Sequence, residues 1–259
     1  MSIHLRAAWL AAGAVVTVIV LASMSRVFAD AAVPPESAEG EQVLVHPVSK
    51  VVVDSNAGDA VVAVGPAGQV TLGRSTVSSF GATPEIEQRW EGEVLRVRAR
   101  CPEGGVAGIG DCSAEFVLTV PADVDVDLRT EAGTLSVTGV TGDVRAESSA
   151  GDIELDGLGG SIHARTQKGS IVGRDLEAAR TDVEAQAGDA QLHYHAAPRQ
   201  VRAVTSAGDV SVLVPAGPYA VVARSQSQET TVGFTPDPDA GSTITATAEA
   251  GRVEVAHTD

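Results

Sequence analysis

Carboxylates, imidazoles and thiols are the groups in this chain with chemistry to offer. Asp123, Asp125 and Asp127 alternate along one segment, which on a strand puts three carboxylates on one outward face, and Asp152, Glu154 and Asp156 repeat the arrangement one unit later. Such sets could bind calcium weakly, at about millimolar strength outside a cell, or supply paired acids for glycoside chemistry. Like charges this close repel, so a solvated acidic face is the plainer expectation. His193 and His195 flank Tyr194 and share a face that could form one edge of a metal site, yet no third ligand is near in sequence. Gly-Asp pairs at Gly58-Asp59, Gly151-Asp152, Gly188-Asp189 and Gly208-Asp209 invite comparison with calcium-binding solenoids. Those need two glycines and an Asp at fixed offsets, and only Gly159-Gly160 supplies the pair, so satisfying turn amides is the expected role of these carboxylates.

Catalytic signatures are lacking. The stretch Gly68-Gln69-Val70-Thr71-Leu72-Gly73-Arg74-Ser75 mimics a phosphate loop with Arg in the Lys position, but Ser, Thr and Val follow it where a helix is needed. The chain has no nucleophile elbow, no metalloprotease motif and no dinucleotide fingerprint. Trp90 is the one Trp outside the N-terminal apolar run, a poor supply of sugar-stacking platforms. The expectation is a protein that is not an enzyme and that uses no cofactor or metal.

The chain has 259 residues with 34 acidic against 18 basic side chains, a net charge of −16, which excludes nucleic acid as a partner. Aromatics are 3% while Gly is 27, so a helical bundle is a poor fit and β-structure with small interior side chains a good one. Residues 7–25 are uncharged and apolar, and as a helix would rise about 28 Å, close to the hydrocarbon thickness of a bilayer. Residues 1–29 are therefore expected to be a transmembrane signal-anchor, placing the rest outside the cytoplasm. Cleavage after Val27-Phe28-Ala29, giving a secreted protein, is the alternative. The exported part holds 16 basic residues against all 34 acids. Residues 30–48, with Pro34-Pro35 and several Glu, are expected to form a flexible linker ahead of a domain over 49–259. Cys101 and Cys112 fall on inward positions at the mouth of one expected hairpin, and outside the cytoplasm that favours a disulfide over two buried thiols.

From residue 126 the sequence repeats. Units pass through Gly133, Gly151, Gly169, Gly188 and Gly208 at spacings of 18, 18, 19 and 20, with Gln228 filling the slot 20 residues further on, and with copies at Gly58 and Gly251. Each unit starts with period-two alternation, as in Val126, Leu128, Thr130, Ala132; Val144, Ala146, Ser148, Ala150; and Val201, Ala203, Thr205, Ala207. A shorter apolar run follows the glycine. One unit cannot bury its own apolar face, but stacked units can. The fold class expected is all-β, a β-solenoid of 18–20-residue coils behind a transmembrane helix, with an antiparallel β-sandwich as the alternative. Hairpins from residues 51–121 would cap the first coil, and Tyr219 and Phe234 the far end.

A set of segments resembles a bacterial β-strand-repeat family, common in actinobacteria, described as candidate adhesins, membrane-anchored and without an assigned biochemical function. They are Val51-Val52-Val53-Asp54-Ser55-Asn56-Ala57-Gly58-Asp59, Pro84-Glu85-Ile86-Glu87-Gln88-Arg89-Trp90, Leu95-Arg96-Val97-Arg98-Ala99-Arg100-Cys101-Pro102, Thr119-Val120-Pro121-Ala122-Asp123 and the recurring Ser-Ala-Gly-Asp of 206–209. The resemblance implies surface display and a β-solenoid, and carries over no catalytic residue. The function expected is a tethered extracytoplasmic interaction module for an envelope or surface partner, protein or glycan. An envelope-glycan-binding or glycan-processing solenoid, and an architectural or envelope-stress component, are the alternatives.

Overall fold

The computed structural model describes residues 36–79, 81–102 and 111–258; the run 7–25 and the cleavage alternative near Ala29 lie outside them. Every regular element among the described residues is a strand, and no helix there is long and apolar enough to cross a membrane. The strands are β1 (Glu36–Leu44), β2 (Lys50–Ser55), β3 (Ala60–Val64), β4 (Val70–Ser78), β5 (Glu85–Glu91), β6 (Val94–Arg100) and β7 (Cys112–Val120). The repeat then gives β8 (Asp125–Ala132), β9 (Leu135–Thr138), β10 (Val144–Ala150), β11 (Ile153–Asp156), β12 (Ile162–Lys168), β13 (Ile171–Leu176), β14 (Arg180–Ala187), β15 (Ala190–Tyr194), β16 (Gln200–Ala207) and β17 (Val210–Val214). Last come β18 (Ala220–Ser225), β19 (Thr230–Val232), β20 (Thr243–Ala250) and β21 (Val253–His257).

Each repeat unit contributes one strand to each of two mixed sheets. One sheet has 11 strands in the order β1-β4-β7-β3-β9-β11-β13-β15-β17-β21-β19; the other has 10, in the order β18-β20-β16-β14-β12-β10-β8-β2-β6-β5. Over the repeat every pair is parallel, and all but β13–β15, which shifts between Gly173 and Leu176, keep one register, Val144 beside Val126 and Ile162 beside Val144, so equivalent residues of successive units stack. Between the sheets lies one core. Buried Val126, Leu128 and Thr130 stack on Val144, Ala146 and Ser148 and on Ile162, Ala164 and Thr166, facing Leu135, Val137, Ile153 and Leu155 across the interior. Ala146, Ser148, Ala164 and Thr166 on one wall leave room for Leu135, Ile153 and Leu155 on the other, so the interior stays narrow. The antiparallel sandwich is not what forms here.

The stack departs from sequence order at both ends. The unit β2–β3 sits between the units β6–β7 and β8–β9, and β20–β21 sits between β16–β17 and β18–β19. The slot stacked on Gly208 therefore holds Gly251, not Gln228, since Ala207 pairs with Ala250. A chain that doubles back reaches its neighbour by mutual fit, and a fixed spacing cannot report that. Among the described strands antiparallel pairing is confined to β5 on β6, β4 on β7 and β1 on β4, which add edges beyond the parallel stack. Residues Glu36–Leu44, expected within the linker, form β1, held to β4 by main-chain pairing while its side chains stay mostly exposed. That edge buries almost nothing apolar, so no alternation marks it. At the far end Tyr219 is buried, with Phe234 and His257 stacked 4.2 Å apart beside it, the aromatic cluster expected there.

Two further expectations are corrected. Ala132, Ala150 and Ala207 are exposed, because the chain turns outward one residue before each corner glycine. Cys101 and Cys112 form the disulfide, but not at a hairpin mouth: β6 and β7 belong to different sheets, and the bond ties the corner between them.

Candidate interaction groove

The repeated corner explains the recurring Gly-Asp. Gly133, Gly151, Gly169, Gly188 and Gly208 take φ between +138° and +152°, where a side chain is strained. A Cβ on Gly151 would also lie 2.0 Å from the carbonyl oxygen of Gly133 in the unit beneath. Buried hydroxyls serve the same corner, Thr166 Oγ1 donating to the Gly151 carbonyl at 3.0 Å. The carboxylates reach between units. Asp59 accepts from the Thr134 amide (2.7 Å), Asp152 from Ser170 (2.7 Å), Asp189 from Asp209 (2.8 Å) and Asp209 from Arg252 (2.7 Å). Turn amides are satisfied as expected, but those of the next unit.

The two acidic sets do not stack one above the other, although Glu154 and Asp156 do face outward together. Asp123 precedes β8, Asp125 accepts from the Asp143 amide at 2.9 Å, and Asp127 is nearly buried between Lys50 (3.5 Å) and Arg129 (3.2 Å). Asp152, Glu154 and Asp156 lie at the corner and on β11, in the other sheet from Asp125 and Asp127. His193 and His195 are exposed, and among the described residues no group of three or more His, Cys, Asp or Glu is placed to hold a metal ion. The phosphate-loop mimic runs from the turn at Gly68 into strand β4.

What the fold builds instead is a ladder of charge on the outer face of the ten-stranded sheet. Alternation sends every second residue outward, and register places one such residue per unit at the same height. Reading across the strands, Arg98, Asp54, Arg129, Glu147, Arg165 and Glu184 stand side by side, with the sign changing at every step. A second row beside it runs Asp127, Arg145, His163, Asp182, Arg202. Ion pairs cross both rows: Arg129 meets Glu147 at 3.1 Å, Arg145 pairs with Glu147, and Arg202 meets Asp182 at 2.7 Å. Exposed pairs add little each, but like charges at this spacing would repel along the whole face.

Along this ladder runs a groove of about 360 Å³ spanning five consecutive strands of the sheet, β2, β8, β10, β12 and β14. One wall is the charged row from Asp54 to Glu184, the other carries Glu131, Gln167 and Gln186, and Ser148 and Thr166 line it between. Burial opposes ionisation of Glu147, but the Arg129 hydrogen bond and the charges of Arg145 and Arg129 outweigh it and hold the carboxyl below its usual range. Arg129 is correspondingly raised: burial lowers it, and Glu147, Asp127 and Asp54 more than compensate. His163 is lowered, first by burial and then by Arg165 and Arg145, and its Nε2 is buried without a partner. The sequence contained this site. Charged residues between the inward positions were plain, but their change of sign from unit to unit shows only once the register is applied.

No family model matches the chain, and no curated protein matches it. Among solved structures it is similar to a candidate cell adhesion protein from Clostridium sporogenes ATCC 15579, with TM-score 0.38 and 10% identity, over 87% of this chain and 100% of that one. It is similar to a candidate adhesin from Bacteroides fragilis NCTC 9343, with TM-score 0.44 and 10% identity over 86% and 97% of the two chains. A candidate adhesin from Parabacteroides merdae ATCC 43184 gives 0.39 and 9% over the same shares.

Proposed function

We propose that this chain is a membrane-tethered, extracytoplasmic β-solenoid whose groove binds an extended polar partner on the envelope or cell surface, without catalysis. The observation that carries the reading is the charged row from Arg98 to Glu184, one side chain per strand and alternating in sign along the groove. Strands lie about 4.8 Å apart, so the row offers a regular series of donors and acceptors to a partner laid across the strands. Parallel in-register stacking of the units supports the solenoid, and the apolar run 7–25 supports the tether.

The reading without catalysis is supported by the direction in which the groove carboxyl of Glu147 is moved. A glycosidase needs an acid raised toward neutral pH, and Glu147 is moved the other way by its arginines. Co-sedimentation of the full chain, held in mild detergent, with lipid-extracted cell envelopes tests the reading. Wild type is expected in the pellet and the charge-reversed Arg129→Glu, Arg165→Glu variant in the supernatant; equal pelleting of both, or of neither, overturns it. Protease treatment of intact cells tests the location, and protection of residues 49–259 would contradict it.

A further inference from the structure

The groove has a period. Its charged row places one side chain on each strand, and the sign reverses at every step from Arg98 through Asp54, Arg129, Glu147 and Arg165 to Glu184. Strands stand about 4.8 Å apart, so arginines recur about every 9.6 Å with a carboxylate midway between them. The pattern stops beyond Glu184, where the next residue in the row is Val204. The other wall likewise gives one residue per strand, Glu131 on β8, Ser149 on β10, Gln167 on β12 and Gln186 on β14. No aromatic ring lines the groove, and its carboxylates outnumber its arginines four to two. A partner is therefore read by hydrogen bonds along its edges, neither by stacking nor by net charge.

Most extended polymers do not fit that period. Side chains on one face of an extended polypeptide recur about every 6.8 Å and fall out of step with arginines about 9.6 Å apart. A polyproline II chain advances about 9.3 Å in three residues and keeps step, but the prolines that hold it straight offer no N–H to the carboxylates between the arginines. A polyanion meets more carboxylates than arginines. An extended β-1,4-linked glycan satisfies both length and chemistry. One ring advances the chain by close to one strand spacing, and each ring is turned over relative to the last. One edge of the chain therefore presents, in alternation, the substituent on ring carbon 2 and the hydroxymethyl group. Where that substituent is an acetamide, the edge offers a carbonyl acceptor and a hydroxyl donor by turns.

We propose that the groove holds an extended β-1,4-linked glycan of N-acetylated amino sugars, one ring on each of the strands β2, β8, β10, β12 and β14. Arg129 and Arg165 donate to acetamide carbonyls, and Asp54, Glu147 and Glu184 accept from the hydroxymethyl groups between them. Both arginines have N–H groups to give. Arg165 comes no nearer than 3.8 Å to a carboxylate, and Arg129 commits Nε to Glu147 and Nη2 to Asp127, leaving Nη1. The far edge of the chain lies against Ser149, Gln167 and Gln186, whose side chains both donate and accept. With no ring to stack on, each sugar adds little and affinity builds with length. This assignment rests on the groove being the binding site, as proposed above.

The test follows the fluorescence anisotropy of tagged N-acetylchito-oligosaccharides of increasing length mixed with the full chain in mild detergent. Affinity should rise with each ring up to five, one per strand of the groove, and then level. Arg165→Ala and Gln167→Leu should each weaken the five-ring oligomer by roughly five- to tenfold, the loss of one or two hydrogen bonds. If Arg165→Ala disturbs the fold, Gln167→Leu, which breaks no ion pair, decides alone. Malto-oligosaccharides, whose α links do not turn successive rings over, and cello-oligosaccharides, which lack the acetamide, should bind more weakly. Envelopes stripped of protein by protease should still pellet the chain. Equal binding of either control sugar, affinity indifferent to length, or pelleting lost with the envelope protein overturns the glycan. If wild type pellets with envelopes but binds no N-acetylated oligomer, the glycan falls and the groove reading stands; if it does neither, both fall.

Discussion

Arg129 and Glu147 are 18 residues apart in sequence, one repeat unit, and 3.1 Å apart in space on adjacent strands. The pair joins one unit to the next, and the same relation recurs between Arg202 and Asp182 at a separation of 20. Charge reversal at one partner should therefore cost more than its removal. Arg129→Glu would put its carboxylate between Asp54 and Glu147 in the same row, and should destabilise by about 1–2 kcal/mol, with Arg129→Ala nearer the roughly 0.2–1 kcal/mol of an exposed pair. The double variant Arg129→Glu, Glu147→Arg should recover part of the loss. Thermal unfolding of the four proteins checks this, and a reversal no worse than the alanine would contradict the ladder.

Corner glycines should differ sharply from glycines in open turns. Gly68 has φ of +78° with nothing within 4 Å of an added Cβ, so Gly68→Ala should cost about 1 kcal/mol from backbone strain alone. Gly151 combines φ of +152° with a backbone oxygen 2.0 Å from the added atom, and neither group can move without shifting a whole unit. Gly151→Ala should lose more than about 3 kcal/mol or fail to fold, read by denaturant melts.

This contrast shows what the sequence could reveal. Glycine spacing and the inward alternation at Val144, Ala146 and Ser148 were legible because each is local, set by the period of a strand and by a backbone angle open mainly to glycine. The place of Gly251 on Gly208 was not, because β20 and β21 enter beneath a unit that precedes them in the chain. Nor was the exposure of Ala150, since a local outward turn overrides the alternation that Val144 begins. Asp127 read as one of three solvated acids, whereas Lys50, distant in sequence, lies beside it in the fold.

Substitution at the corner carboxylates separates charge from hydrogen bonding. Asp152 Oδ1 accepts the Ser170 amide, a duty that an asparagine oxygen can perform without charge. Asp152→Ala should lose about 0.5–1.5 kcal/mol and Asp152→Asn little. If both fall equally, the carboxylate charge rather than the acceptor matters. Amide exchange should quicken at Ser170 in the alanine variant alone.

The last expectation concerns pH. His163 is half-buried in the second row of the ladder with Nδ1 3.5 Å from Asp182, and burial together with the charges of Arg165 and Arg145 keeps its pKa below the ordinary value. In the unfolded chain it titrates near about 6.5, so the unfolded state takes up the proton first as pH falls. The contribution to stability is complete above that value and is lost as pH drops through the folded pKa. His163→Gln cannot take up the proton, so its melting temperature should fall less than that of the wild type between neutral pH and pH about 5.5. Asp182 and Glu147 attract the proton, and if they dominated, the wild type would hold its melting temperature better than the variant over that interval. The sign of the difference between the two curves thus reports whether burial or the carboxylates govern this face.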